Sequence, residues 1–507
     1  MRLAWALLGA ATAVSCGNGS TQHGGTGGSR AGAGAGEMAG TLPNGGQGGA
    51  ESGFDGGAGA SDGTGAAGGG VARGGAGGGT GAVDGGGAGE SGAGAAAAGG
   101  TDSSPACSFE LTATISSEIP TVGILTWSVN MSVLERASVE FGLDEAYGLT
   151  APVDLDAPAR RTLLLGMKAS RDYHYRVVAD GGGEHCESPD QVLTTGPLQN
   201  GLLPILKVAT PLPERVTQGF IVSSILESGP AFIIDQDGDY VWWFGSGEMG
   251  RATQSYDGKS MWIGNINVLG GAGLVERVGM DGEDAAVFPE FGDYSHDLTV
   301  LPDETVGFIQ HSGSCDAIME RAPDGSVREL VNVEDAHGGT YGRCHTNSIH
   351  YHVDDDTYTF SDLDQNTYVK ITREGKVVWI LGGSTSQFSG DGAAWMREHG
   401  HQLIAPDRLL FFNNQKQPPS LAVEVKLDFD AMTATRVFEY DGGFSSPIYG
   451  DVQRLADGNT LVTYSTAGVI HLIDPDGNLV RSFTASLGGA FGYATFRTSL
   501  YGPPPAL

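Results

Sequence analysis

Three histidines each stand a few residues before an Asp-containing turn that separates two apolar strands. They are His296, His345 and His401, which lie seven, ten and six residues before Asp303, Asp355 and Asp407. Imidazoles in this number allow two kinds of chemistry. They can hold a metal ion, as sites with three histidines hold zinc. Alternatively, they can bind a tetrahedral oxyanion while one ring nitrogen acts as the nucleophile.

Two charged residues take comparable positions, since Arg251 and Asp451 each lie six residues before the Asp of their own turn. If these five strands line the centre of a closed ring, the five side chains meet in one pocket that no single repeat builds. His399 is ambiguous, because it would lie just outside the pocket beside His401. Other histidines lack this spacing and are expected to be exposed or structural: His311, His337, His350, His352 and His471.

The strands that must position these residues belong to a repeat. A turn of the Asp-x-Asp-Gly type recurs at Gly238, Gly282, Gly325, Gly375, Ala431 and Gly477. The spacings of 44, 43, 50, 56 and 46 residues are typical of propeller blades. Asp-Gly also supplies the positive φ angles that tight hairpins require. Residues 198–507 are therefore predicted to form an all-β domain, a six-bladed β-propeller.

A second folded region is predicted at residues 106–197. Its segments alternate in the β manner, as in "VGILTWSVNM" and "DYHYRVVAD", which predicts a β-sandwich of short strands. The stretch "LLLGMKASRDYHYRVVA" resembles the fibronectin type III pattern. No catalytic cluster stands out here, so we expect a spacer or docking module.

The N-terminal part predicts export and a tether. Residues 1–16 combine Arg2, a short apolar run and the lipobox-like Ala13-Val14-Ser15-Cys16, which predicts lipidation of Cys16. The alternative is an ordinary export signal with a coincidental Cys. Residues 17–105 are rich in Gly, Ala and Ser and are predicted to be a disordered linker. We expect an exported protein held by its lipid anchor, with the outer membrane as its location, and no other contact with a membrane.

The net charge bears on the partners of the protein, and the cysteines bear on its disulfides. The net charge of −32 argues against nucleic acid and anionic membranes as partners. Besides Cys16 there are four cysteines. Because each folded region contains two of them, we predict the disulfides Cys107–Cys186 and Cys315–Cys344.

Several longer stretches resemble one known family. "SHDLTVLPDETVGF", "CHTNSIHYHVDDDTYTF", "VVWILGG", "EHGHQLIAPDRLLFFNN" and "GDVQRLADGNTLV" are similar, in that order, to the bacterial PAPS-independent arylsulfotransferases. The resemblance covers nearly the whole predicted propeller. It implies a six-bladed propeller that moves a sulfuryl group from an aryl sulfate to a phenol, without a metal or other cofactor.

The resemblance also implies roles for individual residues. His401 matches the family's nucleophile, which forms a transient sulfohistidine. His296 and His345 match the histidines that hold the sulfuryl oxygens, and Asn347 lies in the matching His-x-Asn motif. Neutral imidazole would attack sulfur in line, and cationic donors would stabilise the charge on the equatorial oxygens.

Two departures bear on the anion site. Leu363 stands where the family carries an Arg, and the family's Phe-Asp-Asn is Phe412-Asn413-Asn414 here. We therefore expect another guanidinium, from Arg251 or Arg343, to supply the missing charge. Two further functions stay open. One is a non-catalytic propeller that binds a glycan or a protein, and the other is a metal-dependent hydrolase, for which only Asp297 and Asp451 are nearby carboxylates.

Overall fold

The structure is a computed structural model. It describes residues 107–226, 229–245, 247, 249–266, 273–339, 342–415 and 419–504. The predicted export signal (1–16), the lipidation site Cys16 and the predicted linker (17–105) lie outside the described residues. None of the helices in the described part is both long and apolar enough to cross a membrane.

Two antiparallel sheets form the first folded region. Their strands are β1 (Phe109–Ile115), β2 (Gly123–Val129), β3 (Arg136–Gly142), β4 (Leu149–Pro152), β5 (Thr162–Leu164), β6 (Asp172–Gly181), β7 (Glu184–Glu187) and β8 (Gln191–Thr194). One sheet has the order β1-β2-β5 and the other β4-β3-β6-β7, with β8 also pairing with β6. Both sheets bury side chains in one core, including Trp127, Phe141 and Tyr175, as expected of a sandwich.

The predicted disulfide of this region is confirmed. Cys107 and Cys186 are bonded, with their Cα atoms 5.9 Å apart. The link ties the start of the region to β7. The fibronectin type III resemblance of the region stays a prediction.

The second region consists of short antiparallel strands. They are β9 (Leu206–Ala209), β10 (Phe220–Ser224), β11 (Ala231–Ile234), β12 (Tyr240–Phe244), β13 (Met249–Gln254), β14 (Ser260–Asn265), β15 (Leu274–Gly279), β16 (Ala286–Val287), β17 (Tyr294–Val300), β18 (Val306–Ser312), β19 (Cys315–Arg321), β20 (Val327–Asn332), β21 (Ile349–His352), β22 (Thr357–Asp362), β23 (Thr367–Thr372), β24 (Val377–Gly382), β25 (Glu398–Ala405), β26 (Arg408–Asn413), β27 (Leu421–Asp428), β28 (Thr433–Asp441), β29 (Asp451–Arg454), β30 (Thr460–Tyr464), β31 (Val469–Ile473), β32 (Leu479–Ala485) and β33 (Thr495–Arg497).

Helical structure in the described part is sparse. One four-residue helix, α1 (Val333–Ala336), follows β20. Short 3₁₀ turns lie at Pro158–Arg160, Pro213–Arg215, Pro289–Phe291, Asp391–Ala393, Ser465–Ala467 and Ser486–Gly488. The all-β prediction is confirmed.

Six sheets of the second region follow the predicted repeats, and we call them blades 1 to 6. Blade 1 is β33-β10-β11-β12, blades 2 to 5 are β13–β16, β17–β20, β21–β24 and β25–β28, and blade 6 is β29–β32 with β9 as an added outer strand. Each recurrent turn separates the third and fourth strands of a blade. Its five glycines adopt φ angles between 80° and 87°. The turn at Ala431 has no glycine, and there Met432 takes a φ of 50°.

The pairing of β33 with β10 closes the ring. β33 pairs antiparallel with β10, with Ile221 opposite Phe496, so the C-terminal strand is the innermost strand of blade 1. Blade 6 contacts this strand directly, because the amide of Gln453 donates to the carbonyl of Phe496 and accepts from its N–H. The innermost strands β13, β17, β21, β25, β29 and β33 therefore line one central channel. We call the end where these strands begin the mouth.

The sandwich packs against the turn side of blades 1 and 2, opposite the mouth. The ammonium of Lys168 lies 3.1, 2.6 and 2.8 Å from carboxylate oxygens of Asp235, Asp237 and Asp239 in the first recurrent turn. The hydroxyl of Tyr501 donates to the carbonyl of Leu163 at 3.0 Å. These contacts hold the sandwich at the end of the channel away from the predicted histidine site.

Candidate active site

Arg251 lies in a buried network of charges. Its guanidinium donates to both carboxylate oxygens of Asp297, at 2.6 and 3.1 Å, and to Oδ2 of Asp451 at 3.2 Å. The ring of Tyr493 lies 4.5 Å from the guanidinium carbon. Two carboxylates thus neutralise this cation, which does not favour the prediction that Arg251 binds the anionic substrate. An isolated spacing could not reveal that Asp297 would face it.

The same network joins four blades through backbone groups. Oδ2 of Asp297 accepts from the N–H of Ile349 at 3.0 Å, and Oδ2 of Asp451 accepts from the N–H of Ala494 at 3.2 Å. Burial raises the pKa of Asp451 to about 7, against the opposite effect of the guanidinium. These contacts indicate that the network stabilises the ring, and they occupy the carboxylates that a metal site would need.

His296 and His345 meet at the mouth, as the spacing predicted. Their Nε2 atoms are 3.3 Å apart, and their ring centroids are 5.0 Å apart. The hydroxyl of Ser295 lies 2.6 Å from Nδ1 of His296. Burial lowers the pKa of both imidazoles, and for His296 it does so strongly. At neutral pH the pair is uncharged, so one Nε2–H donates to the other nitrogen.

His401 does not join this pair, and its contacts do not favour the prediction that it is the nucleophile. The hydroxyl of Ser348 lies 2.7 Å from its Nδ1, and the hydroxyl of Thr359 lies 2.7 Å from its Nε2. The ring packs on Tyr368 at a centroid distance of 4.8 Å and is 1% exposed. With both ring nitrogens hydrogen-bonded inside the protein, His401 has no lone pair to offer a substrate.

His399 is the histidine of β25 that belongs with the mouth. Its Nδ1 lies 2.7 Å from Oδ1 of Asn414. Nδ2 of Asn414 donates to the carbonyls of Ser446 and Tyr449, each at 2.6 Å, so the amide oxygen must face the imidazole. Nδ1 of His399 therefore carries the proton, and Nε2 keeps its lone pair. Nε2 forms no hydrogen bond with any described residue.

Electrostatics link His399 to the other two histidines. The charged form of His399 lowers the pKa of His296, and that of His345 lowers the pKa of His399. Burial is the largest cause of the shift, and the pKa of His399 is lowered to about 3. Its imidazole is therefore neutral at physiological pH, which is the form a nucleophile needs.

A β-bulge explains why counting from the turn selected His401 and not His399 for the mouth. In β25, Glu398 lies opposite Asn413 and His401 opposite Phe411, so three steps on β25 match two on β26. The extra residue turns His399 towards the mouth. β17 also has a register shift at its own mouth histidine, where three steps on β17 match one on β18. The signal in the sequence was the unequal spacing of the three predicted histidines.

Asn347 positions β25 and does not face a substrate. Its Nδ2 donates to the carbonyl of Glu398 at 2.9 Å, and its Oδ1 is buried with no partner among the described residues. The hydroxyls of Ser348 and Tyr368 donate to the carbonyl of His399 at 3.0 and 3.2 Å. The His-x-Asn-Ser segment and Tyr368 thus hold the backbone of the candidate nucleophile.

The predicted disulfide Cys315–Cys344 is confirmed, with Cα atoms 4.5 Å apart. It fixes the residue that directly precedes His345. Next to it, Oδ2 of Asp316 accepts from the N–H of Thr346 at 2.6 Å. Blade 3 therefore holds the segment that carries His345 from two adjacent points.

The position of the absent family Arg is filled by a buried leucine. Leu363 is 8% exposed, and its N–H donates to the carbonyl of His345 at 2.8 Å. The N–H of His345 donates in turn to Oδ1 of Asp362 at 3.0 Å. This loop thus still supports His345 through its backbone, but it provides no cation.

Two other arginines lie near the mouth. Arg343 is largely exposed, and its Nε lies 3.6 Å from Asp364. Arg397 is half-buried, two residues before His399, and has a φ of 63°. Its N–H donates to Oδ1 of Asn366 at 2.7 Å, whereas its guanidinium pairs with no described residue. The charge of Arg397 lowers the pKa of His399, so this cation, which the sequence analysis missed, lies near the site.

Nothing in the described geometry favours a metal held by the three histidines. Groups of three potential ligands within 4.8 Å of one another occur in the described residues at two other places. They are Glu145, His174 and Asp190 on the sandwich, and Asp235, Asp237 and Asp239 in the first recurrent turn. The ammonium of Lys168 forms ion pairs with all three carboxylates of the second group.

Comparison with known proteins addresses the family. No curated protein matches the sequence. Similar solved structures include a streptogramin B lyase, with 13% identity, 58% of this chain and 98% of that chain covered, and a TM-score of 0.38. TolB from Acinetobacter baumannii has 11% identity, 66% and 80% coverage, and a TM-score of 0.38. A protein of unknown function from Bacteroides thetaiotaomicron has 14% identity, 76% and 99% coverage, and a TM-score of 0.36.

A family model matches part of the second region. Residues 303–486 match the model described as Arylsulfotransferase (ASST). The matched range contains His345, Arg397, His399 and Asn414, and His296 lies just before it. Residues 303–486 are therefore similar to the arylsulfotransferase family.

Proposed function

We propose that the protein transfers a sulfuryl group from an aryl sulfate to a phenolic acceptor, with Nε2 of His399 as the nucleophile. The family match supports arylsulfotransferase activity in general. One observation carries the choice of nucleophile. Asn414 holds the proton of His399 on Nδ1 and leaves Nε2 unbonded, next to the His296–His345 pair.

The reaction has two half-reactions that balance at sulfur. In the first, the Nε2 lone pair of His399 forms a bond to sulfur, and the bond between sulfur and the aryl oxygen breaks. The aryloxide leaves with that electron pair, and the sulfuryl group stays on the imidazole as sulfohistidine. In the second, the oxygen of a deprotonated phenol attacks sulfur, and the electron pair of the N–S bond returns to Nε2.

Charge stabilisation in this mechanism falls to Arg397, aided by the histidine pair. A sulfuryl group spreads negative charge over three oxygens, so fixed donors aimed at those oxygens lower the barrier. In a chain with a net charge of −32, an unpaired guanidinium beside the nucleophile is well suited to this role. The pair at 3.3 Å has one N–H to redirect towards a sulfuryl oxygen.

The acceptor phenol must also lose a proton, and we assign this step to His311. Its Nδ1 lies 2.6 Å from Oδ1 of Asp316, and this hydrogen bond raises the pKa of His311. The other oxygen of Asp316 holds the backbone beside His345. A carboxylate that orients an imidazole is the usual arrangement of a general base.

Localisation and tethering are part of the same proposal. Lipidation at Cys16 would hold the chain to the outer membrane, and residues 17–105 would give the folded regions reach. The sandwich would act as a spacer on the side of the propeller away from the mouth. The glycan- or protein-binding alternative and the metal-hydrolase alternative each lack a supporting observation in the described residues.

Turnover of 4-nitrophenyl sulfate tests the proposed activity directly. We expect nitrophenol release that depends on added phenol and persists in EDTA. His399→Gln is expected to lower the rate by roughly 10³-fold or more, whereas His401→Gln is the matched control and keeps measurable transfer. A folded wild-type protein that releases no nitrophenol with any phenol would contradict the proposal.

A further inference from the structure

The central channel contains a second chamber, separate from the candidate active site. It has a volume of about 400 Å³ and is bounded by the later residues of the innermost strands. Arg251 and Asp451 form its inner end, and Tyr256, Pro302 and Asp354 lie at the opposite end, where the strands turn. None of His296, His345 or His399 lines it. We call it the lower chamber.

The walls of the lower chamber suit a flat apolar group. Its lining residues include Tyr256, Tyr351 and Phe496, together with Leu403 and Val452. Binding sites for small organic molecules are typically 300–1,000 Å³, mostly apolar, with a few polar groups that fix orientation. The lower chamber has both the size and this composition.

One buried cation in this chamber has no counter-charge among the residues that the structure describes. Arg497 lines the chamber and is 5% exposed. Its Nε and Nη2 donate to the carbonyls of Ser499 and Gly502, and it pairs with no carboxylate among the described residues. Nη1 forms no hydrogen bond there, and it is not sealed from solvent. Burial lowers the pKa of Arg497 only to about 10, so it stays charged at neutral pH.

A neutral hydrogen-bonding group faces the same space. His350 lines the chamber, and its ring nitrogens form no hydrogen bond with a described residue. Burial lowers its pKa to about 4, so it offers one N–H and one lone pair. The carboxylates on the lining do not compete for Arg497, since Asp451 already binds Arg251 and Asp354 is exposed at the rim.

We propose that the lower chamber binds a small organic anion with one aromatic ring, whose oxyanion contacts Nη1 of Arg497 and whose ring packs between the aromatic and aliphatic walls. A buried positive charge without a partner is unfavourable, and an anionic ligand removes that penalty. A hydrogen bond between two charged groups is also stronger than a neutral one. This proposal does not depend on the sulfuryl-transfer mechanism.

Calorimetric titration of the full chain with benzoate tests the proposal, with benzyl alcohol and acetate as comparison ligands. We expect one saturable site for benzoate, with a Kd below about 1 mM. Benzyl alcohol lacks the charge and acetate lacks the ring, so each should bind at least about 10-fold more weakly.

Three variants locate the site. Thr299→Trp fills the chamber from a lining position and should abolish binding. Arg497→Gln should weaken it by about 10-fold or more, with Arg497→Lys restoring part of the affinity. His399→Gln, at the mouth, should leave it unchanged. Thermal unfolding shows whether each variant is folded. If Arg497→Gln does not fold, Thr299→Trp and Arg497→Lys provide the test. Absence of saturable binding, binding that survives Thr299→Trp, or loss confined to His399→Gln would each overturn the proposal.

Discussion

Asn414 determines which nitrogen of His399 is free to react, because its amide oxygen lies 2.7 Å from Nδ1 while its amide nitrogen is held by two backbone carbonyls. A hydrogen bond that fixes one tautomer also fixes the direction of the lone pair on the other nitrogen. In the proposed mechanism, the amide of Asn414 orients the ring while Nε2 of His399 attacks. The first prediction therefore concerns Asn414.

Replacing Asn414 by Leu should lower kcat by about 10- to 100-fold, because Nδ1 loses its acceptor and the imidazole populates both tautomers. KM for the aryl sulfate should change much less. Steady-state kinetics with 4-nitrophenyl sulfate provide the measurement, with the melting temperature as a check on folding. Unchanged kcat in a folded variant would remove the role assigned to Asn414.

The sequence predicted much of the fold and part of this site. The recurrent Asp-Gly turns located the ends of the third strands, because positive φ angles leave a local signature. Contacts set by tertiary structure left no such trace. The bulge in β25 turns His399, and not His401, towards the mouth. The pairing of Arg251 with Asp297 depends on two blades being adjacent. Arg397 was missed because its position follows from the same bulge.

Arg397 and Arg343 both lie near the mouth, so variants of the two arginines can be compared directly. Arg397→Gln should lower kcat/KM for the aryl sulfate by about 10²- to 10³-fold, since it removes a cation from the transferring group. Arg343→Gln should change it by less than about 3-fold, because an exposed charge is screened by solvent. Equal losses in both variants, or a loss only in Arg343→Gln, would disprove this assignment.

Arg251 is expected to stabilise the fold. Arg251→Met leaves Asp297 and Asp451 buried without their counter-charge, which should reduce the free energy of unfolding by about 3–5 kcal/mol. Urea unfolding measures this change, and Arg343→Gln, expected within about 0.5 kcal/mol of wild type, is the control. A variant as stable as wild type but deficient in substrate binding would restore Arg251 to the anion site.

Buried histidines should make the protein acid-sensitive. Burial lowers the pKa of His352 and His399 to about 3 and of His350 and His471 to about 4, whereas an unfolded histidine titrates near about 6.5. As pH falls below 6.5, the unfolded chain takes up protons that the folded chain does not, so stability is lost down to about pH 3.

Melting temperature as a function of pH tests this linkage. Stability should be retained above about pH 6.5 and should fall steadily below it. His471→Phe removes one of these groups from a largely buried position away from the mouth, so its slope below pH 6.5 should be shallower. A melting temperature that stays constant between pH 7 and pH 5 would contradict the pKa shifts.

The central claim is that His399 carries the sulfuryl group, and mass spectrometry of the enzyme quenched during turnover of 4-nitrophenyl sulfate tests it most directly. His399 and His401 lie on one short peptide, so fragmentation must assign the adduct to one ring. We predict sulfohistidine at His399, its loss in His399→Gln and its persistence in His401→Gln. An adduct on His401, or turnover with no adduct on the peptide, would contradict the account.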